Sequence, residues 1–238
     1  MVKHEPMPIS IEEKNKILAQ AKEHNDFDYM LFLTLAKTGR RIGELYGLQD
    51  GKKIGRVILD EKRAISIDGK KVLIDRTRPI YKKFNTWKYG VKVNDIDFKK
   101  NTMKVWVFKR RKFEQDETVL HPELAAVIKS YIIRNQLRSE DYVYRKKGRA
   151  YRNLNNVFRK YAKLAGVPLS KTSETGHIKS LSIHTLRHLI ITELKRQGWS
   201  NERIMIFTGH KTANVLNVYS HIVPLDLKDE FISAVNEI

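Results

Sequence analysis

The segment Ser182-Ile183-His184-Thr185-Leu186-Arg187-His188 lies in the last third of this chain of 238 residues. His184 and Arg187 are three residues apart, so a helix over this segment presents both side chains on one face. The segment Thr208-Gly209-His210 follows, and Tyr219 comes nine residues later. One helical face therefore offers a proton-transfer group beside a cation, with a second histidine and a phenol further along the chain.

These residue types suit attack on a phosphodiester, whose phosphorus is shielded by two nonbridging oxygens. An enzyme without a metal must supply cations to absorb the charge that develops on those oxygens. Arginine suits this task, since its guanidinium stays charged and binds phosphate through two N–H groups. Arg187 is one candidate, and the upstream segment Thr38-Gly39-Arg40-Arg41-Ile42-Gly43-Glu44-Leu45 offers Arg40 and Arg41 for a second. The phosphate would lie between two such arginines.

Together these segments resemble the tyrosine recombinase family, also known as the phage integrases. Residues 38–45 match the family pattern T-G-x-R-x-x-E-L, and the resemblance gives the first phosphate-binding role to Arg41. The family usually has an apolar residue at the position of Arg40. His184 and Arg187 match the pattern H-x-x-R, which implies proton transfer by His184 and a phosphate clamp by Arg187.

The same resemblance implies the other catalytic residues. His210 matches the L-G-H motif, with Thr208 in place of leucine, and would donate a hydrogen bond to the phosphate. Tyr219 begins a Y-x-H ending at the family's interval from His210 and is the expected nucleophile. A phenol has a pKa of about 10, so cationic neighbours or a base must activate it. Lys109, at the end of a predicted strand, would protonate the leaving 5′ oxygen, with Lys112 as the alternative.

The composition favours a polyanionic partner. The chain holds 46 Lys and Arg against 27 Asp and Glu, which gives a formal charge of +19 and a pI near 9.9. Such a charge attracts nucleic acid, although a solvated basic surface without a partner is the alternative. Double-stranded DNA is the predicted partner, and the predicted DNA-binding residues are Arg40, Lys82, Lys83, Arg110, Arg111 and Lys112.

Other classes of protein are excluded or disfavoured. The chain has no cysteine, so disulfides and thiolate chemistry are excluded. His184 and His188 have the i, i+4 spacing of a helical zinc pair, but Thr185 stands where the metalloprotease motif has glutamate. We therefore predict no metal and no other cofactor. No segment has the apolar length of a signal peptide or membrane span, and we expect a cytoplasmic, nucleoid-associated protein that does not bind membranes.

Apolar periodicity predicts an α+β fold that is mainly helical with a small antiparallel sheet, which is also the tyrosine recombinase fold that the resemblance implies. Ser10 and Glu13 form a capping box that opens a first helix. The aliphatic residues Met103, Val105 and Val107 recur at every second position, which predicts a strand from residue 103 to residue 108. Polar residues 170–179 predict a loop. Further helices are predicted over 27–35, through Glu44, and over 122–137, 153–164 and 184–197.

The expected organisation is one catalytic domain over residues 1–238. Residues 49–93 form a basic, β-rich insertion in which Asp68-Gly69 predicts a hairpin turn. This insertion either contacts DNA or is an ordinary hairpin with its own small core. Residues 225–238 form a tail helix that docks either on a neighbouring subunit or on its own domain. Forty residues precede Arg41, too few for the family's N-terminal DNA-clamping domain, so that domain is not expected in this chain.

The resemblance implies a site-specific recombinase that cleaves and rejoins DNA strands through a 3′-phosphotyrosyl intermediate. A homotetramer would process two duplexes. A type IB topoisomerase is an alternative, because it shares the tyrosine chemistry but relaxes DNA without exchanging strands. A catalytically inactive DNA-binding accessory protein is a second alternative, since it would have the fold without turnover.

Overall fold

The computed structural model describes residues 7–67, 70–109, 112–146, 150–172, 176, 178–209 and 228–236. The chain divides into two compact units. The hairpin unit is Leu48–Lys88, and the main unit consists of Met1–Gly47 and Tyr89–Ile238. The candidate catalytic residues Arg41, His184 and Arg187 belong to the main unit.

The helices and strands follow one another in this order. The chain begins with α1 (Ile11–His24), α2 (Asp26–Thr38) and α3 (Ile42–Tyr46). The hairpin unit contributes β1 (Leu48–Ile67) and β2 (Lys70–Lys88). Next come β3 (Ile96–Asp97), β4 (Thr102–Lys109), β5 (Lys112–Val119), α4 (Pro122–Arg134) and α5 (Leu154–Leu164). The chain continues with β6 (Ser170–Thr172), β7 (Ile178–Ser180), α6 (His184–Arg196), α7 (Asn201–Thr208) and α8 (Lys228–Asn236).

The core of the main unit is built around α2. This helix is apolar on nearly every face and packs against α1, α4 and α6, which explains why almost all of its residues are buried. The predicted capping box at the start of α1 is confirmed, because the Ser10 hydroxyl accepts from the Glu13 amide at 3.0 Å and the Glu13 carboxylate accepts from the Ser10 amide at 2.8 Å. The predicted buried helix over 27–35 is confirmed as well.

A small antiparallel sheet, ordered β3-β4-β5, covers one side of the helices. On β4 the predicted alternation is confirmed, since Met103, Val105 and Val107 are buried while Lys104 is exposed. Asp116 on β5 lies opposite Val105, and Lys112 lies opposite Lys109 at the end of the ladder. The buried side of β4 therefore faces the helices.

One predicted loop is wrong. Residues 170–179 include β6, and with β7 they form a two-stranded antiparallel ribbon that pairs Ser170 with Ser180 and Thr172 with Ile178. The three residues of β6 are exposed, so their side chains carry no burial pattern that could reveal a strand in the sequence. The helix predicted over 122–137 ends earlier than expected, at Arg134.

In this single chain the tail helix α8 packs on other residues of the main unit. Phe231 and Val235 are buried with Ile190, Leu194 and Phe207. The rings of Phe207 and Phe231 stack with their centroids 3.4 Å apart. Phe231 and Val235 are therefore covered by residues of α6 and α7. Among the parts of the chain that the structure describes, no helix has the length and apolar character needed to cross a membrane.

The hairpin unit consists of β1 and β2 paired along their whole length. The antiparallel register runs from Leu48 opposite Lys88 to Ile67 opposite Lys70, with irregularities after Gln49, Lys53 and Leu59. The pairing of Ile67 with Lys70 leaves two residues for the turn, as the Asp68-Gly69 signal predicts, although those two lie outside the described residues. The hairpin unit is thus built from two long strands, of 20 and 19 residues.

Candidate active site

Arg187 joins two segments that are far apart in the sequence. It is buried on α6, and one of its guanidinium nitrogens donates to the main-chain carbonyls of Gly39 and, at 3.0 Å, of Thr208. Burial is the main reason why the pKa of Arg187 falls to about 10, and nearby Arg41 contributes further. Arg187 therefore holds the turn before Arg41 close to the end of α7. In the sequence, His210 comes two residues after Thr208, the last residue of α7.

Arg41 lies in the α2–α3 turn with its side chain partly open to solvent. Its guanidinium contacts one oxygen of Glu44 at 3.2 Å, and its main-chain amide donates to the other at 3.2 Å. Glu44 is buried, so its carboxylate is a fixed anchor. Arg41 also lowers the pKa of both His184 and Arg187. The structure therefore brings these three predicted residues into one electrostatic cluster.

His184 opens α6 one turn before Arg187 and remains exposed to solvent. Partial loss of water around the ring is the main reason why its pKa falls below the ordinary value of 6.5. The nearby His188, Arg187 and Arg41 lower that pKa further, because each disfavours a second positive charge. The ring is therefore mostly neutral near pH 7, and a neutral ring can accept a proton.

Arg40 points the other way, and the prediction that it contacts DNA is corrected by its position. It is 1% exposed. Its guanidinium donates to the Asp116 carboxylate at 2.9 Å and to the Glu117 carbonyl at 2.7 Å. A side chain buried and paired in this way does not reach DNA. Of the two neighbouring arginines, Arg41 is the one that lowers the pKa of both His184 and Arg187.

Glycines allow the close packing around these arginines. Gly39 ends α2 with φ of 61°, and a side chain there would come within 3.0 Å of Ile190 and 3.1 Å of Thr208. Gly209 ends α7 with φ of 72°, and a Cβ atom there would collide with the guanidinium of Arg40. Left-handed backbone and close approach both require glycine at these two positions.

The other predicted site residues are only partly described. Lys109 and Lys112 face each other at the end of the β4–β5 ladder, and Lys82 and Lys83 lie on β2, but only their backbone is described. Outside the described residues lie four predicted site residues, which are Arg110, Arg111, His210 and Tyr219. Within the described part of the chain, no three His, Asp or Glu side chains are grouped as a metal site would require.

Three residues that hold the arginines of the site were not predicted from the sequence. Glu44 orients Arg41, Asp116 pairs with Arg40, and the carbonyl of Thr208 accepts from Arg187. Glu44 could have been found, since the motif spacing places it three residues after Arg41 on the following helix. Asp116 lies 76 residues from Arg40, and a main-chain carbonyl has no sequence signature, so no signal pointed to the other two.

Known proteins share this fold. The mainly helical unit with its small antiparallel sheet is the fold of recombinase catalytic domains. Residues 89–224, more than half of the chain, match the phage integrase family. The chain belongs to the phage integrase family.

Solved structures show the same fold at low sequence identity. The chain is similar to XerA recombinase, with a TM-score of 0.57 and 18% identity over 98% of this chain and 65% of that one. It is similar to the integrase of mycobacterium phage Brujita, with a TM-score of 0.59 and 14% identity over 99% of this chain and 60% of that one.

A third similar structure is a lambda integrase tetramer bound to a Holliday junction, with a TM-score of 0.51 and 14% identity over 89% of this chain and 49% of that one. The chain thus spans less than two thirds of the length of each of these proteins. No curated protein sequence matches it.

Proposed function

We propose that this protein is a site-specific DNA recombinase that cleaves and rejoins strands through Tyr219. The observation that carries the proposal is the bridge made by Arg187, which links the turn of Arg41 to the end of α7 at Thr208. Three separate sequence motifs meet at one guanidinium. Family membership and the formal charge of +19 support DNA as the substrate.

In the proposed reaction the phenol oxygen of Tyr219 attacks the phosphorus of one DNA strand. The phenol proton passes to a base, for which His184 is suited because its pKa is lowered. Arg41 and Arg187, with His210, stabilise the negative charge that develops on the nonbridging oxygens. The bond from phosphorus to the 5′ oxygen breaks, and a lysine of the β4–β5 hairpin, Lys109 or Lys112, protonates that oxygen.

Rejoining reverses these steps on a different strand. A 5′ hydroxyl attacks the phosphotyrosyl phosphorus, and Tyr219 leaves with its proton restored. The number of phosphoester bonds is unchanged, so no nucleotide cofactor is needed. We further propose that four subunits act together on two duplexes in the compartment that holds the DNA, and that lysines and arginines of the hairpins, including Lys82, Lys83, Arg110 and Arg111, contact the phosphate backbone.

A covalent-trapping experiment tests this function. The protein is incubated in EDTA with duplex DNA that carries a nick near the cleaved bond, so that the short released strand diffuses away and the phosphotyrosyl adduct accumulates. We expect an adduct on a denaturing gel with the native chain and none with Tyr219→Phe. Tyr29→Phe is the matched control, because it removes the same hydroxyl from α2 and should leave the adduct unchanged.

The outcomes separate the alternatives. An adduct that depends on Tyr219, together with product strands from two different duplexes, supports recombination. An adduct with relaxation of supercoiled plasmid but no exchanged strands indicates a type IB topoisomerase. DNA binding without any adduct indicates an accessory protein and removes the proposed reaction.

A further inference from the structure

Arg40 makes contacts that differ from those of its neighbour Arg41. Its side chain is completely buried, whereas the Arg41 side chain is 43% exposed. Two of its nitrogens donate to β5, one to the carboxylate of Asp116 and one to the main-chain carbonyl of Glu117. Arg41 therefore lies on the exposed side of the turn, whereas the adjacent residue Arg40 is buried against β5.

The guanidinium of Arg40 also contacts the segment before His210. Gly209 lies directly against it, so closely that a Cβ atom at position 209 would overlap the guanidinium. Glu44, the residue that anchors Arg41, lies 4.0 Å from the same group. One side chain thus touches β5, α3 and the end of α7.

This arrangement is costly for stability. An isolated cation in the protein interior loses its hydration, and a buried ion pair often gives no more stability than apolar side chains of similar size. The Nε atom of Arg40 has no hydrogen-bond partner among the described residues, which adds to the cost. An apolar residue would fill the same space without these penalties, so the contacts of Arg40 are better explained by the geometry that they fix.

We propose that Arg40 is a positioning residue, which fixes the β4–β5 hairpin and its leaving-group lysine relative to Arg41. The inference rests on the proposed function. Asp116 lies opposite Val105, and Lys109 follows Val105 by four residues on β4, a distance of about 13 Å along a strand. Arg40 therefore holds β5 near the middle of the hairpin, and the position of this part of the hairpin determines where the lysine at its end lies.

The proposal predicts which step of the reaction depends on Arg40. If Arg40 acts through the leaving-group lysine, its loss should slow expulsion of the 5′ oxygen, which needs a proton. A substrate with sulfur in place of the bridging 5′ oxygen does not need that proton, because a thiolate is a far better leaving group than an alkoxide, with a thiol pKa of roughly 8.5. With the sulfur substrate, loss of Arg40 should therefore not slow cleavage.

The test variant is the double substitution Arg40→Met with Asp116→Leu, which replaces both members of the ion pair with apolar side chains. Single-turnover cleavage is measured on oxygen and sulfur substrates, together with DNA affinity and the melting temperature. Lys109→Ala and Lys112→Ala show the behaviour expected when the proton donor itself is lost. Phe158→Leu in the core of α5 reports what a loss of stability alone does.

We expect the double variant to bind DNA normally and to cleave the oxygen substrate roughly 10- to 100-fold more slowly. This loss is smaller than the full contribution of a general acid, because the lysine is displaced and not removed. Cleavage of the sulfur substrate should stay within about threefold of the native rate. Equal losses on both substrates, or no loss on either, would overturn the inference while leaving the proposed function intact. No adduct from the native chain on either substrate would remove the function, and the inference with it.

Discussion

Arg187 on α6 and Thr208 at the end of α7 are joined by a hydrogen bond of 3.0 Å from the guanidinium to the main-chain carbonyl. The same nitrogen also donates to the carbonyl of Gly39. A side chain that bonds two main-chain carbonyls fixes the positions of the segments that contain them. Arg187 is thus a structural link as well as a candidate phosphate ligand.

Arg187→Lys should reduce strand cleavage by about 100-fold or more, because an ammonium cannot reproduce the fork of donors that a phosphate and two carbonyls require. DNA affinity should change much less, since one phosphate contact is a small part of the total electrostatic attraction. Single-turnover cleavage and a binding titration measure the two effects. Arg196→Lys, an exposed position on the same helix, is the control, and equal behaviour of the two variants would contradict the assigned role.

The rate of cleavage should depend on the protonation of His184. Its folded pKa lies below 6.5, and the base must be neutral, so the rate should fall only as the pH drops through that lowered value. His188→Gln removes one of the causes of the lowering and should move this acidic limb to higher pH. His24→Gln on α1 should leave the limb where it is. A limb that does not move in His188→Gln would exclude His184 as the titrating base.

Gly209→Ala should destabilise the protein more than Gly198→Ala. Both glycines have positive φ, 72° and 84°, so each alanine pays about 1 kcal/mol for a left-handed backbone. A side chain at 198 meets no atom within 4 Å, whereas one at 209 collides with Arg40, which adds roughly 1–3 kcal/mol of overpacking. Urea denaturation of the two variants measures the difference. Equal losses would mean that the contact between Gly209 and Arg40 is absent in solution.

Phe231→Ala should lower the free energy of unfolding by about 3–5 kcal/mol, because it empties a buried space against Phe207. Ser233→Ala, exposed on the same helix, should change it little. The denaturation midpoint should not depend on protein concentration, since the helix packs on its own unit. A midpoint that rises with concentration would instead indicate that the tail docks on a neighbouring subunit.

Lys14 makes stability depend on pH. Burial, with a contribution from Lys37, lowers its pKa in the folded chain to about 8 from 10.5. Below pH 8 both states hold the proton and the folded state bears the full cost of the buried charge. Between about pH 8 and 10.5 the unfolded state binds more protons, so this cost is relieved as the pH rises.

Replacing Lys14 with Met should therefore stabilise the protein by about 2 kcal/mol more at pH 7 than at pH 10. Chemical denaturation at the two values, each relative to the native chain, removes the contribution of other titrating groups. Lys16→Met on the exposed side of α1 is the control and should show no such pH dependence. A constant gain for Lys14→Met would show that the Lys14 pKa is not lowered.

The sequence predicted the elements whose patterns are set locally. The capping box at Ser10, the buried α2 and the alternation on β4 follow from side-chain spacing alone. The pairing of His184 with Arg187 on one helical face follows from their three-residue separation and is also present. These features depend on interactions within a few residues, which a pattern can record.

Other features depend on contacts between distant segments. Whether Arg40 or Arg41 faces the interior is decided by the turn after Gly39 and by Asp116 on β5, and neither leaves a mark in the local sequence. The β6–β7 ribbon is exposed and polar, so it carries no alternation. The helix α4 ends at Arg134, three residues before the predicted end at 137, and polar Asn135 and Gln136 follow it.

The two-stranded hairpin unit has a consequence for colloidal behaviour. A ribbon of two strands has two edge strands, and β1 is 20 residues long, which is about 65 Å of outward-facing N–H and C=O groups that no other described strand pairs with. Such edges invite pairing with other copies. The many lysines and arginines of this segment repel those of other copies, so this repulsion protects the edges from aggregation. The protection weakens at high salt, because salt screens the charges.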